Sequence, residues 1–205
     1  MKMSLDEQNP EDAPLLVVIS GPSGVGKDVL IGELRNRAPE IYITITATTR
    51  PRRDGEVDGR DYIFITKSEF SKRLNENGFI ENADVYGQWY GVPRDQVMSA
   101  LGRGQDVIIK ADVQGAATIR TKVPDALLIF LAPPSSSELK RRLTSRSSDT
   151  AEQLDIRFKA AVREMEESSK FDHVVINHTD GISKAAEEIL DIITVERYRR
   201  QNSSL

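Results

Sequence analysis

Short apolar runs at 15–19, 107–109, 126–131 and 174–176 recur along the chain, with amphipathic stretches between them. A continuous apolar run of this length fits a strand buried on both faces, as in a parallel sheet. The stretches between read as helices. One spans 28–37, with Val29, Leu30, Ile31 and Leu34 available for its buried side. Others fall at 94–101 and 115–122, after Pro133-Pro134, in a continuation to about 170, and over 183–199. Ser135 with Glu138 marks the start of the helix after the double proline. Thr66 with Glu69 marks another, running to about 77, both at capping-box spacing. Buried strands alternating with helices predict an α/β core with a mostly parallel sheet flanked by helices.

The middle of the chain breaks this pattern. Residues 41–49 are β-branched and strand-like, 50–60 form a charged, glycine-containing loop, and 62–65, 79–85 and 88–92 read as short strands. The segment 46–92 is therefore expected to be a small β-rich insertion, packed around Trp89. It would sit on a core made of 14–45, 93–143 and 156–200, within a single domain over 14–200. The polar stretch 144–155 is expected to be a mobile lid. The acidic segment 1–13 is expected to be a disordered tail.

Composition narrows the class. A chain of 205 residues suits one domain with a sizeable core. A net charge of −4 is not the footprint of a protein that coats a nucleic acid polymer. A small anionic ligand needs only a local basic pocket. The absence of cysteine excludes disulfides and thiolate metal sites. No apolar run approaches the ~20 residues of a membrane span, and a cytoplasmic setting is expected. His173 and His178 lack metal-ligand spacing and read as structural. Monomer and homodimer both remain open.

Gly21-Pro22-Ser23-Gly24-Val25-Gly26-Lys27 fits G-x-x-x-x-G-K between a buried strand and a helix, the context that motif requires. The glycines let several backbone N–H groups turn toward phosphate oxygens, and the helix N-terminus adds partial positive charge. Lys27 can reach the β- and γ-phosphates. The hydroxyl residue that normally follows the lysine is replaced by Asp28. Its carboxylate either ligates Mg²⁺ or complements the helix dipole.

Further motifs follow in order: Thr46-Ala47-Thr48-Thr49-Arg50, Arg53, Gly55-Glu56, Asp58-Gly59-Arg60-Asp61-Tyr62-Ile63-Phe64, Phe79-Ile80-Glu81, Tyr90-Gly91, Asp112-Val113-Gln114-Gly115, Phe130-Leu131-Ala132-Pro133-Pro134 and Asn177. Together with the glycine loop they resemble the guanylate kinases, over about 15–199. The resemblance implies Mg²⁺-dependent phosphoryl transfer from ATP to GMP, in purine nucleotide metabolism. It implies that Thr46, Arg50, Arg53, Tyr62 and Tyr90 hold the GMP phosphate. Glu81 would accept from guanine N1 and N2, and Asp112 would be a guanine-side or magnesium-side carboxylate. Arg142, Arg146 and Arg157 would act around the lid on the triphosphate, Arg146 and Arg157 in catalysis, with Asn177 beside the adenine.

Two further positions depart from the family pattern. Val92 stands where Ser or Thr is usual, which removes a hydroxyl expected to meet guanine O6. Lys110 stands where Asp or Glu is common, and either pairs with Asp112 or steers phosphates. Asp28, Val29 and Lys110 keep open a catalytically weakened binding module, and a related kinase with another acceptor is a further alternative.

Overall fold

The computed structural model describes residues 14–85, 87–144 and 151–202. The tail at 1–13 and residues 145–150 of the expected lid, Arg146 among them, lie outside them. In chain order the elements are β1 (Leu16–Ser20), α1 (Lys27–Arg37), β2 (Tyr42–Ile43), β3 (Ala47–Thr48), β4 (Ile63–Phe64), α2 (Lys67–Asn75), β5 (Phe79–Val85) and β6 (Gln88–Pro93). Then follow α3 (Arg94–Gly102), β7 (Val107–Lys110), α4 (Val113–Lys122), β8 (Leu127–Ala132), α5 (Ser136–Thr144), α6 (Ala151–Glu166), a 3-10 turn, β9 (His173–Ile176) and α7 (Ile182–Asn202). The lid expected over 144–155 is thus helical from Ala151 onward.

The apolar runs become a parallel sheet ordered β2-β7-β1-β8-β9. Both of its faces are covered. Val17, Ile19, Ile108 and Ile129 pack on one side with Leu30 and Leu34 of α1 and Ile189 of α7. Val18, Val107, Ile109 and Leu128 pack on the other with Val97 of α3 and Ile119 of α4. Alternate residues of one strand thus enter opposite layers, which is why these strands read as unbroken apolar runs. Each such Leu, Ile or Val adds roughly 1.5–3 kcal/mol when fully buried.

The polar middle segment forms a second sheet, ordered β4-β3-β6-β5, with its own small core. Phe70 of α2 stacks on Phe79 at 4.4 Å and meets Trp89 at 5.4 Å between ring centroids. The capping box of α2 is present: Glu69 N–H donates to Thr66 Oγ1 at 3.1 Å, and Thr66 N–H donates to Glu69 Oε2 at 2.8 Å.

One sequence expectation is corrected here. The stretch 41–49 is not one strand but β2 and β3, in different sheets. Thr44 N–H still donates to Ile108 O at 3.0 Å. At Ile45 the side chain of Gln96 takes over, accepting from its N–H at 2.8 Å and donating to its carbonyl at 3.2 Å. A side-chain amide satisfies both backbone groups where the chain leaves one sheet for the other.

Candidate active site

In a parallel sheet, ligands bind beyond the carboxyl ends of the strands, where the strand order reverses. Here β1 is central, and the chain visits β2 and β7 on one side before β8 and β9 on the other. The loop Gly21–Lys27 leaves β1 at that point. Gly24 and Gly26 have φ of 84° and 105°, left-handed values that side chains rarely adopt. A Cβ on Gly26 would also lie 2.7 Å from Asn177 Nδ2. The loop backbone is thus shaped by glycine and braced from outside.

Asn177, 5% exposed just past β9, supplies that brace by donating from Nδ2 to Val25 O at 2.8 Å. Arg142 of α5 donates to the same carbonyl at 3.1 Å and to Asn177 O at 2.9 Å, and Glu138 holds its Nε at 2.8 Å. Both residues expected at the ATP site therefore touch the loop itself. Arg157 of α6 approaches Ser23 Oγ at 3.5 Å. Lys27 donates to Gly21 O and, at 3.1 Å, to Pro22 O. Burial pushes its pKa down to about 8, against the raising influence of Glu164 and Asp28.

The acceptor side opens between α1 and the small sheet. Asp28, Thr46, Arg50, Arg53, Tyr62, Tyr90 and Lys110 share the lining of a cavity of about 310 Å³. Arg50 is held by a carboxylate and an aromatic ring. Its guanidinium is bidentate to Glu56 at 2.7 and 3.0 Å and lies 5.2 Å from the Tyr62 ring centroid. Glu56 also accepts the Arg53 N–H at 2.8 Å, so one carboxylate shapes the whole basic loop.

The carboxylate expected to read the base is deep. Glu81 is 5% exposed, and burial, seconded by the charge of Asp112, raises its pKa to about 7. Space for it depends on Gly115, where a Cβ would come within 2.8 Å of the Glu81 carboxyl. Asp112 caps α4 by accepting from Gly115 N–H at 2.7 Å. Val92 is fully buried beside Ile80 and Val97. Its branched side chain fills core volume, where a hydroxyl would need a partner.

The comparisons with known proteins agree with this geometry. A family model described as guanylate kinase matches residues 14–196. The chain belongs to the guanylate kinase family. It is an ATP:GMP phosphotransferase, a nucleoside monophosphate kinase. A guanylate kinase of Clostridium perfringens strain 13 is 42% identical over 195 residues, covering 95% of this chain and 89% of that protein. Another, from Thermobifida fusca, is 42% identical over 178 residues, covering 87% and 90%. The crystal structure of guanylate kinase from Anaplasma phagocytophilum superposes with a TM-score of 0.73 at 30% identity, covering 90% of this chain and 87% of that one.

Within the family fold, three features escaped the sequence reading. Glu56 orders the acceptor arginines, six residues from Arg50 across an irregular loop. Glu164 of α6 accepts the Ser23 N–H at 3.0 Å, a carboxylate oxygen on a loop donor suited to phosphate. Lys110 pairs with Asp28 at 2.6 Å, not with Asp112. No local spacing reveals contacts between residues 82 or 141 positions apart.

Glu56→Gln keeps the shape but loses the charge that fixes Arg50. The KM for GMP is expected to rise by roughly 3- to 10-fold, as for loss of one ordinary hydrogen bond, with kcat little changed. Steady-state kinetics at saturating ATP test this.

Proposed function

We propose that the chain transfers the terminal phosphoryl group of Mg·ATP directly to the phosphate of GMP, giving ADP and GDP. One observation carries this reading. Asp28, the residue after Lys27 on the phosphate loop, lines the same cavity as Arg50, Arg53, Tyr62 and Tyr90. A donor held on the loop and an acceptor phosphate held in the cavity would face each other for in-line transfer, with no covalent intermediate.

The residues divide the work. Loop N–H groups and Lys27 hold the donor phosphates and offset charge during transfer. Arg157, and Arg146 outside the described residues, add positive charge from the lid side. Thr46, Arg50, Arg53, Tyr62 and Tyr90 hold the acceptor phosphate, with arginine suited to it by its planar donors. Glu81 as carboxylate accepts from guanine N1–H and N2–H, a donor pair that adenine lacks. GMP arrives ionised, so no general base is needed.

The donor set fits a magnesium ion brought in by the nucleotide. Mg²⁺ takes one or two carboxylates with phosphate oxygens and water. Asp28 presents a carboxylate 62% exposed beside the loop, while its Lys110 partner favours contact through water over direct ligation. Bound there, the ion would neutralise charge on the donor phosphates.

ADP formation with Mg·ATP and, in turn, GMP, AMP, CMP and UMP tests the proposal. Turnover with GMP far above the others supports it. A folded protein that binds GMP and turns over no acceptor would make this a binding module. No helix among the described residues is long and apolar enough to cross a membrane.

A further inference from the structure

The cavity contains a cation that the family resemblance does not account for. Lys110 ends β7, and its ammonium lies 2.6 Å from Asp28 Oδ1 and 3.2 Å from the Tyr62 hydroxyl. It also sits 4.7 Å from the Tyr62 ring centroid. Asp28 belongs to the first turn of α1, and Tyr62 leads into β4 of the small sheet. A single ammonium therefore ties the phosphate loop's helix to the acceptor-side sheet. The lysine is the inner partner at 18% exposure, and the aspartate the outer one at 62%.

A partly exposed ion pair contributes little to stability by itself. An ammonium, however, has three donor hydrogens. Two acceptors, Asp28 and Tyr62, are hydrogen-bonded to this one. The same wall carries Arg50 and Tyr90, the groups assigned to the acceptor phosphate. The two positions also depart from the family pattern together: a carboxylate replaces a hydroxyl at 28, and an ammonium replaces a carboxylate at 110. The exchange leaves the pair one charge more positive where two anionic nucleotides must approach.

We propose that Lys110 is a ligand of the acceptor phosphate, positioned by Asp28, so that this chain binds its acceptor with an added cation set between the two nucleotide sites. The proposal rests on GMP being the acceptor.

The test is calorimetric titration of GMP into the full chain without ATP or magnesium, with ATP titrated separately. It compares the unaltered protein, Lys110→Met, and Lys110→Met combined with Asp28→Asn, each checked by thermal unfolding. Lys110→Met removes a charge-assisted hydrogen bond and leaves the Asp28 carboxylate facing the phosphate. GMP is expected to bind about tenfold more weakly or worse. Adding Asp28→Asn removes the carboxylate charge and restores part of the loss. ATP affinity stays within about threefold in Lys110→Met. A folded Lys110→Met that binds GMP within about twofold of the unaltered protein overturns the proposal and leaves Lys110 a structural tie. Should that variant not fold, Lys110→Gln, which keeps a donor toward Tyr62, is judged by the same criterion. If the unaltered protein binds another monophosphate in place of GMP, the acceptor reading fails, and the same comparison with that monophosphate still decides the role of Lys110. Binding of no monophosphate overturns both.

Discussion

Lys27→Met is expected to lower kcat by at least about 10³-fold, the range seen when a cation that stabilises a transferring phosphoryl group is removed. Methionine matches the length of the lysine stem, so the loop keeps its volume and loses only the charge and donors. Lys27 donates to Gly21 O and Pro22 O at the mouth of the loop. On the proposed function its ammonium would exchange these carbonyls for phosphate oxygens when ATP binds. The variant should still bind GMP, whose cavity is built from other residues. A pH profile gives a second check. With a pKa of about 8, the ammonium of the free protein loses its proton as pH rises through 8. Bound triphosphate favours the charged form. Thus kcat/KM for ATP should fall above pH 8, while kcat holds to higher pH. A Lys27→Met protein with kcat within tenfold of the original would remove Lys27 from the chemistry.

Glu81→Gln is expected to disable GMP use and stabilise the fold at once. The glutamine amide puts donors against guanine N1–H and N2–H. Unpaired donors in a buried site are costly, so kcat/KM for GMP should drop by at least about 100-fold. The stability change has the opposite sign. The folded pKa of about 7 lies above the ordinary 4.5 because burial, then Asp112, disfavours the carboxylate. Below pH 4.5 both folded and unfolded states are protonated, and Glu81 causes no loss. Between 4.5 and 7 the unfolded state has given up its proton while the folded state keeps it, so stability falls across that window and the loss is complete once the folded group ionises above 7. The raised pKa corresponds to a cost on the order of 3 kcal/mol above pH 7. Glutamine carries no such cost. Unfolding temperature should therefore rise at pH 8 and hardly change at pH 4.5. Equal unfolding temperatures at pH 8 would mean that Glu81 is not held at a price in stability. The same reasoning predicts weaker GMP binding by the unaltered protein as pH falls below 7, since protonated Glu81 accepts less well.

Stability and recognition pull apart at this residue for a physical reason. A carboxylate buried beside Asp112 and tucked against Gly115 is poorly solvated. In the proposed complex guanine would bring the missing donors and relieve that charge, as expected of a site tuned for one base.

Periodicity and local chemistry were enough for the elements whose causes lie close in sequence. The apolar runs become β1, β7, β8 and β9 because both faces of a parallel sheet are covered. The Thr66 and Glu69 spacing becomes a capping box because its two hydrogen bonds span only one turn. The glycine loop adopts its left-handed turns because glycine allows them at positions 24 and 26. The ordered motifs at 46–64 marked the residues that line the cavity, Thr46, Arg50, Arg53 and Tyr62 among them.

Contacts between distant residues were settled only by tertiary structure. The break between β2 and β3 depends on Gln96, which lies 51 residues from Ile45. The positions of Arg142 and Asn177 on the loop's Val25 carbonyl depend on α5 and β9 returning to β1. Burial gives Glu81 its raised pKa, and Val92 its place in the core. The sequence by itself determined the α/β class and the phosphate loop, because backbone propensity, capping and glycine freedom act within a turn or two, while the acceptor residues were implied by the resemblance of ordered motifs to the family. Only the tertiary structure decided that Lys110 meets Asp28 and Tyr62 rather than Asp112, because electrostatic partners are chosen by distance in space across a closed sheet, and no local pattern encodes that distance.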